Sequence, residues 1–125
     1  MTENEISKII WDKCFRIHSR LGPGLFESVY EEILAFEMTK AGLLFERQKY
    51  LPVVWDGLLL ENGFRADFLV ENKVIIELKS VEMLSAVHSK QVLTYLKITH
   101  LKLGLLINFN SLLLKDGFQR IANKL

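Results

Sequence analysis

The chain has 125 residues, 50% hydrophobic and 25% charged, which fits one ordinary folded domain and excludes a disordered segment. Its formal net charge of +1 is too balanced to mark a nucleic-acid binder by itself, although a basic rim beside an acidic pocket is compatible with it. The only cysteine, Cys14, excludes an internal disulfide and a cysteine-rich zinc site.

The chain opens on Met1-Thr2-Glu3-Asn4-Glu5, an acidic start with no apolar stretch, so no signal peptide is expected. From residues 4 to 20, Ile6, Ile10, Cys14 and Ile17 recur at helical spacing, with Leu21 next in phase, and predict an amphipathic helix ended by Gly22-Pro23-Gly24. A second helix is predicted from about Phe26 to Lys40, with Val29, Ile33, Leu34 and Phe36 apolar and Gly42 behind it as a stop. Strands follow. Leu44 to Val54 is a long strand-like run, and Asp56-Gly57 is a hairpin signal. Leu58 to Leu60 reads as a short strand, Glu61-Asn62-Gly63 as a turn, Phe64 to Val70 as the next strand, Glu71-Asn72-Lys73 as another turn, and Val74 to Lys79 as the most buried strand.

Three hairpins in a row predict an antiparallel meander. The period then changes. Leu84 to Thr99 predicts a helix, with Val92, Leu96 and Thr99 on one side and Lys90 and Lys97 exposed. Leu103 to Phe109 predicts an apolar strand, Leu112 to Leu114 an edge strand, and Phe118 to Leu125 a short tail helix. Runs such as Leu103 to Ile107 are too short to span a bilayer, and the default expectation is a cytoplasmic protein with no membrane partner. The order ααββββαβ predicts an α/β fold, a mixed sheet flanked by helices. The unit from 74 to 109 has room for a parallel crossover. No linker or repeat interrupts the chain, so residues 1–125 are expected to be a single domain.

One strand is odd. Alternation puts Ile75, Glu77 and Lys79 on one face of the most apolar strand. Burying a carboxylate and an ammonium there is costly unless they are paired, bound to metal or set in a wet cleft. The turn at 71 to 73 brings Asp67 opposite Glu77 within a position. Two carboxylates side by side repel unless a cation lies between them. Mg²⁺ suits them, as a hard ion that takes carboxylate oxygens and completes its shell with waters and phosphate. A nearby ammonium, Lys79, is placed to orient an attacking water, and the set matches what metal-assisted phosphodiester hydrolysis needs.

Three motifs now resemble a known family. Asp67…Glu77-Leu78-Lys79 resembles the D…ExK signature of the PD-(D/E)XK nuclease superfamily. Gly24-Leu25-Phe26-Glu27-Ser28-Val29-Tyr30 is a full GxxExxY motif, the signature of one branch of that superfamily. Gln91-Val92-Leu93-Thr94-Tyr95 is similar to the QxxxY motif that follows ExK in the nuclease domains of recombination helicases. The motifs stand in the superfamily order, and the resemblance covers about residues 5 to 109. It departs at Ala66, where a proline often precedes the aspartate.

The resemblance implies a restriction-endonuclease-like fold and a Mg²⁺- or Mn²⁺-dependent nuclease acting on DNA; with no added sequence-reading domain expected, cleavage is expected to be structure-selective or weakly specific. It implies that Asp67 and Glu77 bind the metal, with the Leu78 carbonyl as third ligand and Glu27 as an outer or additional one. It implies that Lys79 positions the water. Gln91 and Tyr95, four apart on one helical face, would line the pocket and touch Lys79 or the DNA backbone, and His88 on the same stripe would contact phosphate. A domain this small implies a homodimer or a partner protein to help grip a duplex.

Plainer readings stand beside these. Taken on the strand alone, Glu77 and Lys79 also fit an ordinary solvated pair on a half-exposed face, a reading that Asp67, Glu27 and Gln91 in order weigh against, and Glu27 alone fits a first-turn acid favoured by the helix dipole. Tyr30 fits the core, and Tyr95 fits core or pocket. His88 fits a helix surface; His18 and His100 have no partner in view; Trp11 and Trp55 fit packing or an interface. Lys8, Lys13, Arg16 and Arg20 form a solvated face more readily than a DNA track. The competing functional class is a catalytically silent nucleic-acid- or partner-binding module of the same fold, and hydrolysis of RNA or a nucleotide uses the same residues.

Overall fold

The computed structural model describes residues 1–125. Helix α1 (Glu3–Leu21) starts in a capping box, with Thr2 and Glu5 exchanging side-chain and backbone hydrogen bonds, and ends where Gly22 takes a positive φ of 69°. Helix α2 (Glu27–Lys40) follows, with Phe26 as its N-cap. Then come β1 (Phe45–Trp55), β2 (Leu58–Val70), β3 (Val74–Lys79), helix α3 (Ala86–Thr99), β4 (Leu103–Asn108), a single helical turn α4 (Leu114–Gly117) and β5 (Phe118–Ala122). The sheet runs β1-β2-β3-β4-β5, with β3 at its centre. Its one parallel pair is β3 with β4, joined by α3, as the crossover spacing predicted. The expected α/β fold, a mixed sheet flanked by helices, is the one observed.

Alternation along β3 divides the core. Val74, Ile76 and Leu78 face α1 and α2 and pack in a large cluster with Ile6, Ile10 and Tyr30. Ile75 faces α3 and packs with Leu69 and Leu96. Tyr30 stacks on Phe109 with ring centroids 4.5 Å apart, so it is core, and its hydroxyl donates to the Gly22 carbonyl at 2.6 Å. Gly104 on β4 lets α3 sit directly on the sheet: a Cβ there would lie 2.4 Å from Val92 Cγ1.

Three sequence expectations are corrected. Leu58 to Leu60 and Phe64 to Val70 are one strand, because Glu61-Asn62-Gly63 is a bulge and not a turn. Leu51 pairs with Phe64 whereas Val53 pairs with Leu60, so three residues of β2 stand opposite Pro52. Proline has no N–H to give the ladder, and Gly63 is needed because a Cβ there would meet Val53 Cγ2 at 2.1 Å. The sheet therefore has two hairpins, at Asp56-Gly57 and Glu71-Asn72-Lys73, and not three. At the C-terminus, Leu112 to Leu114 is no edge strand and Phe118 to Leu125 no helix; Phe118–Ala122 pairs antiparallel with β4 and covers its edge. No helix is long and apolar enough to cross a membrane.

Candidate active site

The site lies where β2 and β3 stop pairing. Backbone partners run Val70↔Val74, Leu69↔Ile75 and Phe68↔Ile76, and then the ladder ends one step short of Asp67 and Glu77. The Asp67 side chain takes over from the backbone: its Oδ2 accepts the Leu78 N–H at 2.8 Å. Asp67 is thereby fixed beside the Glu77-Leu78-Lys79 segment, as hairpin register predicted.

Glu77 is only 8% exposed, although it carries a carboxylate on the central strand. Its Oε1 is buried without a hydrogen-bond partner. Burial, and after it the neighbouring Asp67 charge, push the Glu77 carboxyl up to about 8, while Lys79 opposes the shift. Asp67 is also raised, first by burial and against hydrogen bonds from Leu78 and Gln48. The Lys79 ammonium makes no direct ion pair, but its charge favours the ionised form of both acids.

Two residues that sequence reasoning missed join this cluster. The Gln48 amide, on β1 opposite Asp67, donates to Asp67 Oδ1 at 3.3 Å and to Glu31 Oε1. Its backbone holds a left-handed φ of 48°, a strained position for a non-glycine strand residue, and its own Oε1 is buried without a partner. Glu31 is held in turn by Arg47, whose Nη2 lies 2.7 Å from both Glu31 and Glu32. Glu31 had a signal, since it stands one helical turn after Glu27 on the same face. Gln48 had none.

The other expected residues divide. Glu27 is exposed in the first turn of α2, and its charge reaches Glu77 as the smallest of the contributions raising that carboxyl. Tyr95 is half-buried and stacks on Phe64 at 3.9 Å, so it serves packing; its hydroxyl is raised by burial first and then by the Glu77 and Asp67 charges. Gln91 is exposed one turn before Tyr95 with its amide unengaged. His88 has a structural job: its Nδ1 accepts the Ser85 N–H at 3.1 Å and completes the α3 capping box. His18, to which the sequence assigned nothing, is buried with Nε2 2.8 Å from the Ser111 carbonyl.

Asn108, buried at the end of β4 beside Lys79, was also missed. Its Oδ1 accepts the Val81 and Asn110 N–H groups and its Nδ2 donates to the Val81 carbonyl, which pins the chain just after Lys79. A buried polar residue at the end of an apolar strand was its signal.

No three His, Cys, Asp or Glu side chains converge on one point. The protein thus offers two adjacent carboxylates and an orphaned buried oxygen, a donor set that fits Mg²⁺ or Mn²⁺, whose remaining ligands are backbone oxygen, water and phosphate. It does not fit zinc, which asks for nitrogen and sulfur ligands. A family model described as PD-(D/E)XK nuclease superfamily matches residues 4–121. No curated protein and no solved structure gives a significant match.

Proposed function

The chain belongs to the PD-(D/E)XK nuclease superfamily, and on that premise we propose that it is a divalent-metal-dependent nuclease that hydrolyses phosphodiester bonds in DNA, structure-selective or weakly specific. The observation that carries the reading is the Glu77 carboxylate, buried on the central strand next to Asp67 with one oxygen unpartnered. A protein that needed only stability would gain by replacing it with an apolar residue. Residues 1–125 act as one such domain, and Gly24, Glu27 and Tyr30 support placing it in the GxxExxY branch.

In this reading Asp67, Glu77 and the Leu78 carbonyl would hold Mg²⁺ or Mn²⁺, with Glu27 as an outer or additional ligand. The bound ion supplies Lewis-acid stabilisation of the charge that builds on phosphate oxygens. The Leu78 N–H holds Asp67 in the orientation required. Lys79, followed by a segment that Asn108 fixes at Val81, orients the water for in-line attack on phosphorus and stabilises the developing negative charge. Gln91, free at the rim, contacts the DNA backbone, and Tyr95 walls the pocket. Gln48, itself held by Glu31, holds Asp67 from the far side. His88 touches phosphate only if its cap on α3 is given up, so its role is to fix that helix end.

Cleavage of labelled single-stranded, duplex and branched DNA and of RNA, with Mg²⁺ or Mn²⁺ and with chelator, tests the proposal. Cutting that needs metal and disappears in Glu77→Ala and Lys79→Ala supports it. If calorimetry finds no metal bound through Glu77, the catalytic reading falls and the silent binding module replaces it.

A further inference from the structure

The distal half of the β1–β2 hairpin is apolar on both faces and has no neighbour on most of its surface. The ribbon has no β3 neighbour from Asp67 outward, since β2 pairs with β3 only from Phe68 to Val70, and past Leu51, the last buried residue of β1, its side chains are largely exposed. In the arm, Val54 pairs with Leu59 on one face and Trp55 with Leu58 on the other, next to Val53 with Leu60. Trp55 is 69% exposed, and Val54, Leu58, Leu59 and Leu60 are exposed beside it. A strand in water alternates apolar with polar; one that is apolar on both faces is built to be covered on both. A lone two-stranded ribbon is also marginal in water.

We infer that this arm is a homodimerisation element, seated reciprocally against the arm and α3 groove of a second copy of the chain. Three observations choose the occupant. A groove of about 650 Å³ runs between the arm and the second half of α3, with Leu51, Pro52, Val54 and Ile98 as apolar lining and Lys97 and His100 at its rim. The arm from Leu51 to Phe64 carries Asp56 and Glu61 and no cation, so it repels nucleic acid and anionic lipid but complements that rim. The five exposed side chains offer on the order of 500 Å² per protomer, at roughly 100 Å² each, or about 1,000 Å² across two copies, the lower end of a specific interface. A two-fold contact lets one arm and one groove serve both partners. The inference does not depend on the nuclease reading.

The test is the mass of the full chain in solution from about 1 to 100 µM by light scattering, for wild type, for Trp55→Lys with Leu59→Lys, and for Phe36→Ser. Phe36 is an equally exposed apolar side chain on α2 and controls for general stickiness. Because the arm is solvent-facing, the double variant keeps its circular dichroism. The expected result is twice the 14.5 kDa protomer mass for wild type and Phe36→Ser, and the protomer mass for the double variant. Trp55 emission should shift to the blue as wild type dimerises. Asp56→Lys with Glu61→Lys should weaken the dimer at least tenfold, and adding Lys97→Glu should recover part of it. A monomeric wild type throughout the range overturns the inference, as does a dimer that survives the arm substitutions. A Trp55 blue shift that requires neutral lipid vesicles or a different protein overturns it too.

Discussion

The two halves of β2 break the same rule in opposite directions. From Ala66 to Val70 the strand is packed, and the one polar side chain there, Asp67, is fixed by Leu78 and Gln48. From Leu58 to Leu60 it presents three leucines to water. A buried carboxylate and an exposed apolar ribbon are each expensive for a folded chain, so neither is explained by folding alone. The contrast teaches where to look for function: local pattern and tertiary environment disagree at both places, and agree almost everywhere between them.

If the two halves differ in this way, substitutions at the inner end change chemistry and stability, and substitutions at the arm change only association. The largest effect is on activity. Glu77→Ala and Lys79→Ala should each lower metal-dependent DNA cleavage by about 10³-fold or more, read as initial rates at saturating Mg²⁺. Near-normal cleavage by Glu77→Ala would end the comparison.

The pH dependence of stability comes next. The Glu77 carboxyl is held near 8 in the folded protein against 4.5 for an ordinary glutamate. A raised acid pKa means the folded chain keeps a proton that the unfolded chain releases. The Glu77 contribution is therefore fully present below pH 4.5 and is lost as pH rises towards 8. Glu77→Gln should remove that loss and stabilise the metal-free protein by up to about 5 kcal/mol at pH 9, with little difference at pH 4, in urea titrations. Mg²⁺ should narrow the difference at pH 9 by binding folded wild type, and metal affinity should rise with pH through the same window.

Asn108→Ala should cost about 2 kcal/mol, because it strands the Val81 and Asn110 backbone groups. Cleavage should fall with it, since the chain after Lys79 loses its anchor; both are measured on one preparation. Gly104→Ala should cost about 1–3 kcal/mol by pushing Val92 and α3 off β4, read as a lowered Tm. The smallest effect belongs to the arm. Trp55→Ser, studied at low concentration where the chain is monomeric, should change stability by no more than about 0.5 kcal/mol. A larger loss would mean that the arm packs on its own chain.

The sequence by itself determined the three long helices, the hairpin that sets Asp67 beside Glu77, and the parallel crossover to β4. Those features rest on short-range rules: alternation along a strand, register across a turn of three residues, and helical spacing between Gln91 and Tyr95. Tyr30 was legible as core for the same reason. Tertiary structure decided the rest. Glu61-Asn62-Gly63 carries the same local chemistry in a turn or a bulge, and only continued pairing with β1 past Pro52 selects the bulge. Phe118–Ala122 is a strand because the open edge of β4 supplies its partner. Gln48 reaches Asp67 from 19 positions away and is itself held by Glu31 on α2, and Asn108 holds the chain just after β3 from another strand. These are contacts between segments that meet only once the sheet has formed, where burial in the folded interior, and not spacing along the chain, sets which polar group needs which partner.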